Sequence, residues 1–249
     1  METSKNNHKL YNEFSWLWPI ISPPEEYEDE TRFFSKTIVE NAKIPVKSML
    51  HLGCGGGHND CFFKEYFEIT GVDISKGMLN LAKNLNPEIE YIQGDMRSIR
   101  LNKNFDAVVI MDSVNYMLDE ADLNSSFNTA YTHLKPGGVL LTLQEITKEK
   151  FKQNETFTSV HSNYRAEITF IENHYDPDPD DSTYEVTLIY LIRKKGKLEI
   201  QTDVHIGGVF NNDTLFRLLN QTGFEVKQLK YNRPGFEKDA FIPLFVCSK

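Results

Sequence analysis

Four glycines among five residues form the part of this 249-residue chain whose spacing says most about chemistry. They are Gly53 and 55–57, and they directly follow an apolar stretch. A strand that ends in such a loop and enters a helix presents free N–H groups to a ligand. No Lys-Ser/Thr pair closes the run, which excludes a P-loop, and His58 replaces the third glycine of a dinucleotide fingerprint. The spacing favours a ligand without a pyrophosphate, although an ordinary strand-to-helix turn has similar glycines.

Carboxylates stand at the ends of the next two predicted strands. Asp73 ends the first, and an acidic residue at this place in a doubly wound fold accepts hydrogen bonds from ribose hydroxyls. Asp73 could instead cap the next helix, but Ser75 is the better cap because the apolar residues after it then share one helical face. Asp95 ends the second strand, where a carboxylate can accept the exocyclic amine of adenine or cap a turn.

Alternating strands and helices must position these residues. The near-continuous apolar run 105–111 is typical of a central parallel strand covered on both faces. After a helix, the turn signal Pro136-Gly137 leads into another buried strand, 139–143. We therefore predict an α/β fold with a doubly wound, mostly parallel sheet. The predicted divisions are a helical N-terminal extension (1–44), an α/β core (45–145), an antiparallel β lid (146–210) and the completion of the core by a helix and an antiparallel strand pair (211–249).

The lid segment shows alternation of apolar and polar residues, which predicts three antiparallel strands at 165–171, 184–190 and 198–204. Such a sheet would lie above the carboxyl ends of the parallel strands, where open α/β folds bind ligands. It could cover a substrate, form a homodimer surface, or do both. Its acidic loop 176–181 could ligate a hard cation, but a solvated turn is favoured because the loop lacks the Gly and distal Glu of an EF-hand.

The N-terminal extension is unusually aromatic between residues 10 and 21 and is stopped by Pro23-Pro24. This run predicts either a helix packed on the core or a flap in which Tyr11 and Trp18 close a pocket. A second helix is predicted to begin at Glu25. Its acidic first turn favours the helix dipole and needs no further function.

Composition sets limits on the class of protein. No apolar stretch approaches the roughly 18 residues of a membrane span, and no apolar signal-peptide core stands at the N-terminus. Three cysteines without metal spacing predict reduced thiols and, with the other features, a cytoplasmic enzyme. The net charge of −9 argues against a general nucleic-acid binder.

The order of these motifs resembles that of the class I S-adenosylmethionine-dependent methyltransferases. The matching segments are Leu52–Gly57, Gly71–Ser75, Gly94–Met96, Phe105–Val108 and Leu134–Gly138. The resemblance implies a seven-stranded Rossmann-like methyltransferase sheet with an antiparallel last strand. It also implies S-adenosylmethionine as cofactor and S-adenosylhomocysteine as product. The implied cofactor-binding residues are Tyr11, Trp18, Gly53, Cys54, Gly55, Gly57, Asp73, Ile74, Met78, Asp95, Met96 and Met111, with no metal ligand.

Within that family the chain is similar to the small-molecule methyltransferases that act on amino sugars. The segments behind this likeness are Leu10–Phe14, Asp95–Arg97, Asp112–Tyr116 and Asp203–His205. They imply methyl transfer to a nitrogen or oxygen of a small acceptor. The alternatives are a protein methyltransferase and a non-catalytic S-adenosylmethionine-binding module. A nicotinamide-dependent oxidoreductase is disfavoured by His58 in the glycine loop and by the Gly-Asp-Met sequence at 94–96.

Methyl transfer to an amine or hydroxyl requires alignment of the acceptor and removal of a proton. The candidate bases are His205 in the lid and Glu145 after the fifth strand, and Asp112, Asn115 and Tyr116 could orient the acceptor. Each also has a structural interpretation. Asp112 could bind only the cofactor's amino group, Glu145 could form a salt bridge to the lid, Tyr116 could be helix core, and a lone His is more often structural.

Overall fold

Two separate sheets organise the protein. A computed structural model describes residues 8–233 and 241–249. Residues 1–7 of the predicted N-terminal extension and residues 234–240 of the predicted core therefore lie outside the described residues. In chain order the strands are β1 Ser48–Leu52, β2 Glu68–Asp73, β3 Glu90–Gln93, β4 Phe105–Ile110, β5 Leu134–Leu143, β6 Glu155–Ser162, β7 Glu167–Tyr175, β8 Thr183–Lys194, β9 Lys197–Gly208, β10 Glu225–Tyr231 and β11 Ile242–Ser248.

Helices cover the first sheet and connect its strands. The α-helices are α1 Trp18–Ile21, α2 Glu28–Asn41, α3 Asp60–Phe63, α4 Lys76–Leu85, α5 Glu120–His133 and α6 Asn212–Thr222, and the 3₁₀ turns are Lys9–Tyr11, Ser15–Leu17, Pro24–Tyr27 and Asp112–Tyr116. Helix α4 has the predicted cap, since the Ser75 hydroxyl accepts the Met78 N–H. No helix in residues 8–233 or 241–249 is long and apolar enough to cross a bilayer.

The first sheet has the predicted seven strands, in the order β10-β11-β5-β4-β1-β2-β3. Strands β1 to β5 run parallel, and β11 is antiparallel to both β5 and β10. All six residues of β4 are buried, as a central strand covered on both faces requires. The chain order reverses between β1 and β4, and open α/β sheets bind ligands in the crevice at such a point. Both strands therefore direct their following loops into one crevice.

The predicted turn at Pro136-Gly137 lies inside strand β5 rather than before it. Phe105 of β4 pairs with Leu134, but Ala107 pairs with Val139, so extra residues bulge out of β5 between these two pairs. The turn residues therefore mark an irregularity in a strand that begins earlier than expected.

The second sheet has the strand order β6-β7-β8-β9 and is antiparallel throughout. Its position in the chain agrees with the prediction, but the prediction of three strands missed β6. The two large apolar residues of β6, Phe157 and Val160, point to opposite faces because side chains alternate along a strand. Strand β6 therefore has no continuous apolar face that alternation could reveal.

The N-terminal segment (residues 9–21) is not the single helix that was one of its two expected forms. Two 3₁₀ turns precede α1, and Pro19 stands at the start of α1, where its missing N–H costs nothing but where a longer helix could not continue through it. The predicted second helix begins with a 3₁₀ turn at Pro24 and becomes α-helical only at Glu28. The segment packs its apolar side chains against the inner face of the second sheet: Leu10, Leu17, Ile20 and Ile21 join Ile168, Leu188, Tyr190 and Ile192.

Candidate functional site

The glycine loop connects β1 to α3 and has three residues with left-handed backbone, Gly53, Gly55 and Gly57, at φ values of 74°, 54° and 73°. A Cβ on Gly53 would lie 2.3 Å from the Ser113 side chain, and one on Gly57 would lie 2.7 Å from the Tyr91 hydroxyl. A Cβ on Gly55 would meet no atom within 4 Å. Gly53 and Gly57 thus permit close packing inside the protein, whereas Gly55 faces open space that a ligand can enter.

Asp73 fixes this loop from the end of β2. Its Oδ2 accepts the Gly55 N–H at 2.8 Å, and its Oδ1 accepts the Ser75 N–H at 2.8 Å. Burial raises the pKa of Asp73, while the two N–H donors oppose that shift. The neighbouring Ile74 is 59% exposed beside the carboxylate. The carboxylate therefore holds the loop, and an apolar surface lies next to it.

Asp95 and Met96 lie beside the same loop. Arg97 binds Asp95 through its own N–H at 2.8 Å and through Nη2 at 2.6 Å, and these hydrogen bonds lower the pKa of Asp95. The guanidinium also reaches Asp122 at 2.9 Å. The Met96 methyl lies 2.8 Å from the position that a Cβ on Gly53 would take. Met96 therefore contacts the glycine loop, whereas both oxygens of Asp95 already accept from Arg97.

Three other residues predicted to bind cofactor have buried side chains: Cys54, Met78 and Met111 are 5%, 2% and 7% exposed. Cys54 and Met111 belong to the apolar cluster on one face of the first sheet. The side chains of these two residues therefore serve mainly the core.

The N-terminal segment lies over the glycine loop and the start of α4. The Ser75 hydroxyl donates to the Tyr11 carbonyl oxygen at 2.5 Å. The Trp18 ring stacks on His58 at 6.2 Å between centroids and meets the Tyr11 ring edge-on at 6.0 Å. Burial lowers the pKa of His58 to about 4, so this imidazole is neutral at pH 7. Tyr11 and Trp18 thus lie beside the glycine loop, and their closing of a cofactor pocket stays a prediction.

A chain of hydrogen bonds connects Tyr11 to the predicted base. The hydroxyls of Tyr11 and Tyr116 are 2.6 Å apart, Tyr116 Oη lies 3.0 Å from His205 Nδ1, and His205 Nε2 lies 2.9 Å from Asp203 Oδ2. The four residues come from the N-terminal segment, the turn after β4, and β9. Burial raises the pKa of both tyrosines, so both hydroxyls are protonated at neutral pH. This arrangement can accept and relay a proton.

A second polar cluster contains the other candidate base. Arg233 Nη1 lies 2.8 Å from Glu145, Nη2 lies 3.7 Å from Asp112, and Nε lies 3.5 Å from Glu30. Burial and the Glu145 carboxylate raise the pKa of Asp112 to about 7, and burial raises that of Glu30. The Asp112 side chain is nevertheless 51% exposed. The sequence left open a salt bridge from Glu145 to the lid, but within the described residues Glu145 pairs with Arg233, which lies beyond the lid.

Two further sequence predictions concern acceptor contacts and metals. The side-chain oxygen of Asn115 is buried, and none of the described residues donates to it. The acidic loop 176–181 turns its carboxylates onto its own backbone: Asp176 accepts the Asp178 N–H, and Asp181 accepts the Thr183 N–H. Across residues 8–233 and 241–249 no group of three or more His, Cys, Asp or Glu residues could hold a metal ion.

Three residues of these clusters were missed or set aside in the sequence. Asp203 stands two positions before His205 on one strand, so both side chains share a face, and this spacing was a usable signal. Glu30 was dismissed with its acidic neighbours, yet it falls on the helical face of Phe34 and Ile38, which are buried. Arg233 lies in the loop between the last two strands, where only the fold brings it to Glu145.

Comparison with known proteins agrees with this geometry. Residues 49–138 match the family described as "Methyltransferase domain". A protein of Geobacillus sp. (strain WCH70) with a provisional methyltransferase name is 26% identical over 226 residues, 88% of this chain and 90% of that protein. The dTDP-3-amino-3,4,6-trideoxy-alpha-D-glucopyranose N,N-dimethyltransferase of Streptomyces venezuelae is 36% identical over 106 residues, 42% of this chain and only 45% of that enzyme.

Two solved structures establish the likeness of fold. Streptomyces venezuelae DesVI has a TM-score of 0.82 at 22% identity, covering 94% of this chain and 96% of that one. The sugar N-methyltransferase KedS8 from Streptoalloteichus sp ATCC 53650 has a TM-score of 0.82 at 19% identity, covering 100% and 96%.

The match over residues 49–138 and the relatives named as methyltransferases support a methyltransferase enzyme, and the fold is that of the solved structures above. These findings are consistent with a class I S-adenosylmethionine-dependent methyltransferase that resembles enzymes acting on amino sugars.

Proposed function

We propose that this enzyme transfers a methyl group from S-adenosylmethionine to the nitrogen of a small amine of the amino-sugar type. The observation that carries the choice of nitrogen is the carboxylate pair Asp112 and Glu145, which stands next to the cofactor crevice at the ends of β4 and β5. The sugar enzymes similar to this chain are N,N-dimethyltransferases by name, which supports the same choice.

The residues around the glycine loop fit the cofactor. Asp73 keeps acceptor capacity for ribose hydroxyls beyond its two N–H donors, since an ionised carboxylate has about four lone-pair sites. Ile74 and Met96 offer apolar surface to the adenine, and Gly55 leaves room for the methionine end. When bound, the cofactor supplies a methyl group on a positively charged sulfur, and an amine attacks that methyl in line.

We assign binding of the acceptor to the cluster around Arg233. Three carboxylates, Asp112, Glu145 and Glu30, face one guanidinium, so the cluster attracts a cation. Asp112 is the most exposed of the four and is free to approach a ligand. An amine held there as its ammonium form would have to lose a proton before it attacks. Asp112, with its raised pKa, would take that proton, or the hydrogen-bond chain from Tyr11 to His205 would take it.

The second sheet completes the site as a cover. Its inner face supplies His205 and packs against the N-terminal segment, so cover and segment enclose the acceptor together. The outer face of the same sheet would bind a second copy of the chain. The absence of nucleic-acid and membrane partners and a cytoplasmic location remain predictions from composition.

Calorimetric titration with S-adenosylhomocysteine, followed by incubation with S-adenosylmethionine and a panel of sugar amines and matching sugar alcohols, tests the function. We expect micromolar binding and methylation of amines in preference to alcohols. Methylation of a polypeptide with no small acceptor would favour a protein methyltransferase instead. Binding without any turnover across the panel would favour a non-catalytic module.

A further inference from the structure

Asp203 joins the N-terminal segment to the predicted base through a single oxygen atom. Its Oδ2 accepts the Leu10 N–H at 2.9 Å and also lies 2.9 Å from His205 Nε2. Its Oδ1 accepts the Val204 N–H at 3.0 Å. Asp203 is buried, and nothing in the proposed function so far requires it. A carboxylate that binds the N-terminal segment and the imidazole of the predicted base at one atom links the positions of the two.

The carboxylate decides which nitrogen of His205 carries the hydrogen. An ionised carboxylate only accepts, so Nε2 must donate to it. Burial opposes the charge of Asp203, but the hydrogen bonds from His205 and Leu10 outweigh burial and lower its pKa. The neutral ring then has its lone pair on Nδ1, which lies 3.0 Å from Tyr116 Oη. Tyr116 therefore donates to His205 and in turn accepts from Tyr11 at 2.6 Å.

This order of donors and acceptors gives the hydrogen-bond chain one direction for proton transfer. A proton accepted at the Tyr11 oxygen releases the Tyr11 hydroxyl proton to Tyr116, and Tyr116 passes its own proton to His205 Nδ1. The imidazole then carries a positive charge beside the Asp203 carboxylate, and the two hydroxyls are restored. With the opposite tautomer, Nδ1 would bear a hydrogen and could not accept.

Among the described residues, the rings closest to His205 are those of His8 and the two tyrosines, and the Glu172 carboxylate acts on both tyrosines. The His8 ring centroid is 4.1 Å from that of His205, and those of Tyr11 and Tyr116 are 5.2 Å and 6.0 Å away. Burial and the neighbouring His205 lower the pKa of His8 to about 4, so His8 is neutral at pH 7. In the part of the chain that the structure describes, Asp203 is thus the carboxylate that hydrogen-bonds to His205.

We propose that Asp203 is a positioning residue that sets the tautomer of His205 and also anchors the N-terminal segment, whose Tyr11 completes the hydrogen-bond chain. Because the Leu10 N–H and His205 Nε2 share one oxygen of Asp203, the same carboxylate fixes both ends of that chain. The inference rests on the proposed function, because it concerns the proton that an acceptor amine must lose. It adds a role for a residue that never touches substrate or cofactor.

Asp203→Asn is the decisive variant because the amide has the same shape. Its NH₂ group would donate to Nε2 of His205 and favour the Nδ1–H tautomer. This tautomer reverses the order of donors and acceptors in the hydrogen-bond chain. Asp203→Glu keeps an acceptor and should recover part of the loss. Glu199→Gln removes a carboxylate from an exposed position of the same strand and serves as the matched control.

Three measurements test the proposed role of Asp203. Nitrogen–proton NMR of the imidazole should show the Nε2–H tautomer of His205 in the wild type and in Glu199→Gln, and a shift to Nδ1–H in Asp203→Asn. Hydrogen exchange at the Leu10 amide should become at least tenfold faster in Asp203→Asn. Methyl transfer from the proposed amine substrates should fall at least tenfold in Asp203→Asn with a changed pH profile, and Asp203→Glu should recover part of it.

An Nδ1–H tautomer in the wild type would overturn the inference, as would an Asp203→Asn protein with wild-type exchange and turnover. Both outcomes leave the proposed function standing if the wild type binds S-adenosylhomocysteine and methylates amines. A wild type that does neither would overturn the proposed function, while tautomer and exchange would still decide the role of Asp203. If Asp203→Asn does not fold, the wild-type tautomer and the Asp203→Glu variant decide the question.

Discussion

The Asp73 carboxylate has two roles, holding the glycine loop and binding ribose, and substitutions can distinguish them. It holds the N–H groups of Gly55 and Ser75 and, in the proposed function, two ribose hydroxyls. We expect Asp73→Ala to weaken S-adenosylhomocysteine binding at least tenfold in calorimetry, about 1.4 kcal/mol. Asp73→Asn should lose less, because its amide oxygen still accepts. Asp178→Ala in the exposed acidic loop is the control, and wild-type affinity in Asp73→Ala would refute the ribose assignment.

Asp112 makes cation binding depend on pH. Since its pKa is raised to about 7, the carboxyl group is mostly neutral at pH 6 and mostly charged at pH 8. A cation that has no proton of its own, such as tetramethylammonium, should therefore bind about fivefold more tightly at pH 8, a difference of about 1 kcal/mol. His8 and His58, with pKa values lowered to about 4, do not titrate in this interval.

Asp112→Asn separates this effect from general changes of charge. The variant should bind tetramethylammonium with the same weak affinity at both pH values, measured by competition with an amine acceptor. A wild-type affinity that is flat between pH 6 and 8, or a step that persists in Asp112→Asn, would contradict the assignment of Asp112 to the acceptor.

At the scale of elements, helix α4 and the N-terminal segment meet at Gly77. A Cβ on Gly77 would lie 2.5 Å from the Tyr11 carbonyl oxygen and 3.1 Å from that of Asn12. Alanine should stabilise the helix itself by up to about 1 kcal/mol. We nevertheless expect Gly77→Ala to displace the segment, with at least tenfold faster proteolysis there and weaker cofactor binding.

Asn80→Ala is the matched control for Gly77→Ala, because Asn80 is an exposed position of the same helix. It changes helix propensity without touching the segment and should be cleaved at the wild-type rate. Limited proteolysis with mass spectrometry locates the cut. Equal rates in the two variants would show that Gly77 is not needed for docking.

The elements that the sequence predicted are those with a strong local signal. The glycine loop, the fully buried β4 and the capped helix α4 each follow from a few adjacent residues, and the order of the parallel strands follows from the motifs they carry. Strand β6 has no apolar face, and the N-terminal segment is broken by Pro19, so neither produces a regular pattern. The hydrogen-bond chain joins residues that lie 105 and 89 positions apart, and only the fold brings them together.

At the scale of the whole molecule, the outer face of the second sheet exposes several large apolar side chains. Strand β9 directs Leu198, Ile200, Val204 and Ile206 outward, with exposures of 46%, 60%, 53% and 36%, and it forms an edge of the sheet. On the opposite edge Val160 is 75% exposed. Exposed apolar side chains grouped along one strand are typical of an interaction site.

We expect a second copy of the chain to pack on this face, because two-fold dimers bring the same patch of both subunits together and sheets pack face to face at small angles. We therefore expect a dimer mass in analytical ultracentrifugation at micromolar concentration. The double variant Ile200→Lys/Val204→Lys should be a monomer that still binds S-adenosylhomocysteine, because the inner face with His205 is untouched. Phe216→Lys, at an exposed apolar position of α6, should remain a dimer. A wild-type monomer, or a double variant that still dimerises, would mean that this face has another partner.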